Sequence, residues 1–196
     1  MKINLFLLIL LLPFAAFADE LPVEVEELCL IEEEVKLYEK INAYRNEKGK
    51  HPIPLSFNLT LVAQAHAIDL FENKPYDDQC NMHSWSGSGP WSKCCYTPDH
   101  SNPHCMWDKP VEISGYPGRG YEIVYSYWPV SSSVPLAKEA LEAWQLSPGH
   151  NNTIINAGVF TQANWEAMGV GIYGGYVVVW FGEEADPEGP PPYCED

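Results

Sequence analysis

The sequence is poor in positive charge. Only 11 Lys and Arg stand against 27 Asp and Glu, a formal net charge of −16 over 196 residues. A phosphate backbone needs clustered Lys and Arg to displace its counterions, so nucleic acid is excluded as a partner. Long apolar runs are missing too. The run from Leu5 to Phe14 is too short to cross a bilayer, and nothing later is long enough, so no membrane span is expected. There is no Gly-x-Ser-x-Gly elbow, no Ser-His-Asp order and no His-Glu-x-x-His, which removes the common nucleophile and zinc-protease signatures. No Asp-x-Asx-x-Asx-Gly loop is present either. The eight acids between Asp19 and Glu34 therefore read as a solvated lead-in and not as a calcium site. Internal repeats are absent.

What is present begins with an export signal. Lys2 precedes the apolar run, and Ala16-Phe17-Ala18 supplies small residues for cleavage. This predicts a signal peptide over residues 1–18, an acidic segment over 19–31, and a chain secreted to an extracellular or periplasmic space. In such a compartment six cysteines read as disulfides. Cys29 and Cys194 lie near the two ends and are expected to staple them. The neighbours Cys94 and Cys95 are too close to bond without strain. Cys80 then joins one of them and Cys105 the other, with the choice open. The length suits one domain acting as a monomer.

Apolar spacing predicts a first helix over Glu32 to Lys48, ended by Gly49, and an extended Pro52-Ile53-Pro54 link. Asn58 is expected to cap a second helix carrying Leu59, Val62, Ala63, His66 and Leu70 on one stripe. His66 on that stripe reads as a core histidine with a hydrogen-bond partner. Residues 77–119 are rich in Ser, Gly, Pro, Trp and Cys and have no period, the mark of a disulfide-held insertion. Tyr121 to Tyr127 alternates as a strand. Leu136, Ala137, Ala140, Leu141 and Trp144 line a further helix. Ser147-Pro148 starts another, with Ser147 as N-cap, and His150 falls in its first turn, where the dipole favours a neutral ring. Gly174-Gly175 between two apolar runs predicts a hairpin. The acidic, Pro-rich tail, 183–196, reads as a strap held by Cys194. Asn58-Leu59-Thr60 and Asn151-Asn152-Thr153 fit the glycosylation acceptor pattern.

Several of these segments resemble one family. Leu37-Tyr38-Glu39-Lys40-Ile41-Asn42-Ala43-Tyr44-Arg45, Pro54-Leu55-Ser56 and Ala63-Gln64-Ala65-His66-Ala67 are similar to the opening of a CAP domain. That superfamily, also called SCP, includes cysteine-rich secretory proteins, antigen 5 and pathogenesis-related proteins. Asn81-Met82-His83-Ser84 and Gly120-Tyr121-Glu122-Ile123 resemble its first histidine and glutamate motifs. Ser147-Pro148-Gly149-His150 with Ile154-Ile155-Asn156, and Met168-Gly169-Val170-Gly171, resemble its bacterial branch. The resemblance spans Glu32 to Gly182. It implies an α+β fold, an α-β-α sandwich with a small antiparallel sheet flanked by helices, and a central cleft. It also implies a divalent metal, often zinc, held by His83, Glu122 and His150. The second acid of animal and plant members falls near Ser147 and is missing. The long spacing from His83 to Glu122 implies that the Cys-rich insertion sits over the cleft.

Two function classes follow. One is an exported binding or interaction module for a protein, lipid or glycan ligand; the other is a metal-dependent hydrolase using the same cleft. The hydrolase needs a general base, for which Glu166 and Glu139 are candidates. His100 and His104 beside Cys94, Cys95 and Cys105 form a second zinc-like spacing that export argues against. Trp85, Trp91, Trp107 and Tyr116 in the insertion make either a satellite core around the disulfides or an exposed binding surface.

Overall fold

Residues Tyr176 to Phe181 offer no polar face, and a strand of that kind must be covered on both sides. In the computed structural model, which describes residues 28–128 and 135–195, it is the middle strand of a three-stranded antiparallel sheet. The strands are β1 (Gly120–Ser126), β2 (Ala167–Tyr173) and β3 (Tyr176–Gly182), in the order β1-β3-β2. Every residue of β3 is buried. Gly174 and Gly175 have φ of 54° and 87°, so both take the positive values that a two-residue hairpin turn requires.

Six helices complete the described chain: α1 (Glu32–Glu47), α2 (Phe57–Asn73), α3 (His104–Trp107), α4 (Lys109–Ser114), α5 (Leu136–Leu146) and α6 (Pro148–Ile154). The period of two along β3 separates two cores. Val177, Val179 and Phe181 pack with Leu37 and Ile41 of α1 and with Ala137 and Trp144 of α5. Tyr176, Val178 and Trp180 pack with Leu59, Val62 and Leu70 of α2. The result is the expected α-β-α sandwich. The signal peptide and the acidic segment up to residue 27 lie outside the described residues.

The Met168-Gly169-Val170-Gly171 motif has a steric cause. Met168 and Val170 face the α1 and α5 side, while the two glycines face α2. A Cβ on Gly169 would lie 2.0 Å from the Leu59 carbonyl carbon, and one on Gly171 would lie 2.4 Å from that of Ala63. The helix backbone therefore rests directly on β2.

Two expected caps differ. Ser56, not Asn58, caps α2: its hydroxyl accepts from the Leu59 amide at 3.0 Å. Asn58 instead binds the tail, its amide donating to Asp186 Oδ2 at 2.8 Å and its Nδ2 donating to Oδ1 at 2.9 Å. Asp186 can compensate the orphan amides of the helix start because it is an acceptor-only side chain there. The nitrogen that a glycan would need on Asn58 is thus occupied, and Thr60 is fully buried. Ser147 stands at the N-cap of α6, but its side chain makes no capping bond. The tail strap is held by Asp186 as well as by the Cys29–Cys194 disulfide.

Glu34 is buried within α1, a feature its acidic surroundings in the sequence hide. Its carboxyl accepts from the amides of Ile31 and Ile172 and from Gln64 Nε2, tying α1 to β2 and α2. Burial pushes this carboxyl up to about 7 against the downward pull of those three donors.

Two expectations follow. Gly169→Ala or Gly171→Ala should cost about 3 kcal/mol in urea denaturation, because backbone has to move. Gly149→Ala, which meets nothing within 4 Å, should leave stability unchanged or slightly raised. Equal effects at the two kinds of position would contradict the close approach. For Glu34, the folded state holds a proton that the unfolded state releases from about pH 4.5 upward. Stability should therefore fall by about 3 kcal/mol as pH rises from 4.5 to 7, then level off. Glu34→Gln should flatten that stretch of the profile.

Candidate functional site

Alternation along β1 decides which way Glu122 points. Tyr121, Ile123 and Tyr125 pack on the α1 and α5 side, so Glu122 and Val124 face α2. There the carboxylate meets His66, which α2 presents from its buried stripe. Its Oε2 bonds His66 Nδ1, and its Oε1 bonds His83 Nδ1 at 2.7 Å. The Glu122 and His66 side chains are fully sealed from solvent, whereas 21% of the His83 side chain remains exposed. His66 is a core histidine with a partner, as its position on the helix predicts. The partner, however, is the site glutamate.

The hydrogen positions follow from the partners. His66 Nε2 lies 2.9 Å from the Ser84 carbonyl oxygen, which can only accept, so that nitrogen donates. Burial pushes the Glu122 carboxyl up, but the adjoining His66 and His83 imidazoles outweigh it and hold it below the usual carboxylate range. Both His66 nitrogens are therefore engaged, Nε2 by the Ser84 carbonyl and Nδ1 by Glu122. His83 donates from Nδ1, which leaves its Nε2 to face the cleft.

Helix α2 also gathers the start of the insertion. His66 stacks on Trp85 with ring centroids 4.1 Å apart and planes 9° apart. One turn on, Asp69 accepts from the Ser86 amide at 2.8 Å and from the Ser86 hydroxyl. Residues 84–86 are thus fixed by side chains at i and i+3 of one helix. An Asx turn at Asn81, whose Oδ1 accepts from the His83 amide at 3.0 Å, sets the remaining geometry of His83.

The disulfides resolve the open pairing as Cys80–Cys95 and Cys94–Cys105. Trp85, Trp91 and Tyr116 are buried and form the satellite core, so they offer no binding surface. Lys109 completes that core, fully buried, with its Nζ donating to Ser92 O and paired to Glu112. Trp107 behaves differently: it lines the cleft with Tyr96, His100 and Met106. The insertion supplies one wall. With the cysteines bonded, the zinc-like spacing around His100 and His104 dissolves. His100 Nδ1 bonds the Tyr96 hydroxyl at 2.8 Å, and His104 lies on the surface near Asp108.

The opposite side of the cleft comes from α6 and the residues after it. Trp144 Nε1 donates to the Val124 carbonyl at 3.2 Å, anchoring α5 to β1. From α1, the Tyr44 hydroxyl donates to Asn151 at 2.9 Å and Arg45 donates to Asn156 at 2.7 Å, which locks α6 in place. His150 in its first turn is half-buried and lines the same cleft as His83 and Glu122. Burial and then repulsion by His83 lower its affinity for a proton. That is the direction expected from the helix start, but its causes are burial and His83. Glu166 is exposed and bonded to Asn164, and neither it nor Glu139 lines the cleft. Glu183 does, a residue assigned by the sequence to the tail. The cavity measures about 750 Å³, within the range of small-molecule sites. Among the described residues, no three His, Cys, Asp or Glu side chains converge at metal-ligand spacing.

An α-β-α sandwich with a histidine-bearing cleft beside a cystine-held wall defines the class. The model of the CAP family, the cysteine-rich secretory protein family, matches residues 38–178, and the chain belongs to that family. Among curated proteins none matches. Of the solved structures, an extracellular protein containing an SCP domain from Bacillus anthracis superposes with a TM-score of 0.54 at 16% identity, over 78% of this chain and 40% of that one. An outer surface protein of Borrelia burgdorferi superposes with a TM-score of 0.51 at 19% identity, over 78% of this chain and 93% of that one. The chain thus spans well under half of the first of these proteins. At such identities the likeness shows the fold. No described helix is long and apolar enough to cross a membrane.

The shared carboxylate sets an order of mutational cost. Glu122→Ala leaves the buried His66 Nδ1 without its partner and should cost about 2–3 kcal/mol in urea denaturation. His66→Ala should cost a similar amount, and His83→Ala, at the solvent edge, about 1 kcal/mol. An equal loss for His66→Ala and His83→Ala would show that the two imidazoles are not held as described.

Proposed function

We propose that this chain is an exported binding module whose cleft takes a small ligand, its apolar body against the aromatic wall and its polar end at His83 and His150. The observation that carries this reading is the meeting of two unlike surfaces in one cavity. The imidazoles of His83 and His150 and the rings of Trp107, Tyr121 and Phe160 line the same cavity. Concave sites with an apolar lining and a few fixed polar groups are the usual form of small-molecule sites. Export is supported by the predicted signal peptide and the three disulfides, which persist outside the reducing cytosol.

A divalent metal such as zinc fits the imidazole pair better than the three-residue set His83, Glu122 and His150. Both Glu122 oxygens are bonded to imidazoles, so Glu122 would stand behind His83 as the carboxylate that orients a ligating ring. His83 Nε2 and His150 would then be the protein donors. Bound there, the metal would supply Lewis acidity to a water or ligand oxygen. Binding is favoured over hydrolysis by the acids present. Glu122 is committed, and Glu183 belongs with the aromatic wall.

Nile red, a neutral dye that brightens in apolar surroundings, should bind the wild type with about micromolar affinity. Its affinity should fall about tenfold in Trp107→Ala with Phe160→Ala. Calorimetry should find zinc uptake that His83→Ala with His150→Ala abolishes without loss of dye binding. Absence of both dye and zinc binding would reject the reading.

A further inference from the structure

The aromatic part of the cleft is not a flat platform. The Trp107 and Tyr121 centroids lie 5.5 Å apart with planes at 51°, and those of Tyr121 and Phe160 lie 5.3 Å apart at 79°. Tyr121 and Phe160 meet edge to face, and Trp165 packs against both, so the rings form one aromatic corner that borders the cavity. Trp107 comes from the insertion, Tyr121 from β1, and Phe160 from the short 3-10 turn Gly158–Phe160. The three are brought together only by the fold. Glu183 lines the same cavity, and its charge acts on the Tyr121 phenol after burial, both pushing that phenol up. Its Oε1 lies 3.4 Å from the Asn164 amide nitrogen, which steadies it on that side. Arg119 is the cation nearby, and it is paired to Asp108 at 2.9 Å.

We infer that this corner is a site for an alkylated ammonium group, seated on the faces of Trp107, Tyr121 and Phe160 beside the Glu183 carboxylate. The inference rests on the cleft being a ligand site and specifies the charge of what it takes. Aromatic faces carry negative potential, and they attract a cation within about 6 Å of the ring centroid. A trimethylammonium group suits them best, since it is weakly hydrated and has no N–H donors to satisfy. A primary ammonium would need several acceptors, and the corner offers one carboxylate. The chain's excess of acid, 27 against 11 basic residues, favours cations at longer range and disfavours an anionic ligand in the same place. His83 and His150 line the same cavity and offer polar contacts to the remainder of the ligand.

Choline and its neutral isostere 3,3-dimethylbutan-1-ol have the same shape and differ in charge. Titration of each into the full exported chain, followed by amide NMR shifts, should give choline binding about tenfold tighter than the isostere. Trp107→Leu and Phe160→Leu keep an apolar wall but remove ring faces. Each should reduce choline affinity about fivefold more than it reduces isostere affinity. Glu183→Gln should weaken choline alone, and the wild-type preference should shrink as salt rises. Equal affinities for choline and the isostere would overturn the charge assignment while leaving the cleft as a ligand site. No binding of either, together with no dye binding, would overturn both.

Discussion

A carboxylate taken out of water must be answered by charge or by donors, and Glu122 is answered twice. His66 on α2 takes one oxygen and His83 on the insertion takes the other. Much of the site's geometry follows from that constraint. The pairing ties α2 to β1 across a face where Gly169 and Gly171 already bring backbone onto backbone. It also fixes the entry of the insertion, because the carbonyl that receives His66 Nε2 belongs to Ser84, the neighbour of His83. The ring exposed to the cleft is therefore aimed by groups no ligand can reach. A polar constellation built this way keeps its geometry whether or not the cavity is filled.

The parts of the molecule legible in the sequence were those with a local cause. Gly174-Gly175 announces the hairpin because only positive φ closes it. Pro148 marks the start of α6 because a proline costs nothing there, and the apolar run Tyr176 to Phe181 marks the buried strand. Short motifs around His83, Glu122 and His150 placed all three at one cleft through resemblance; His83 and His150 line the cavity, while the Glu122 carboxylate lies sealed behind His83. What escaped had a cause distant in sequence. His66 reads as core because its apolar stripe hides that its partner is an acid 56 residues on. Asn58 loses the capping role to Ser56 because Asp186, near the other end, takes its side chain. Glu183 belongs by composition to a tail and by position to the cleft. The pairing of Cys94 and Cys95 depended on which way each side chain leaves the backbone, which spacing does not encode.

The insertion does two jobs with different residues. Trp85, Trp91 and Tyr116 turn inward with Lys109 to make a core small enough to need disulfides. Trp107 and His100 turn toward the cleft. Because the inward set is satisfied within the insertion and against α2, the outward set is free to differ in chemistry without unsettling the sandwich. That wall of the cleft is thus an attachment on a shared frame, and its lining is a property of this chain more than of its fold.

The bond between Cys29 and Cys194 joins residues 165 positions apart and closes nearly the whole described chain into a covalent ring. In the loop-entropy picture, closure on that scale disfavours the unfolded chain by about 5 kcal/mol. A ring also answers damage differently from an open chain. A single protease cut between those cysteines yields two peptides, and both stay joined through the staple. Around the cleft the cystines Cys80–Cys95 and Cys94–Cys105 repeat the arrangement on a smaller scale. One nick within any of these loops leaves the cleft walls attached to each other.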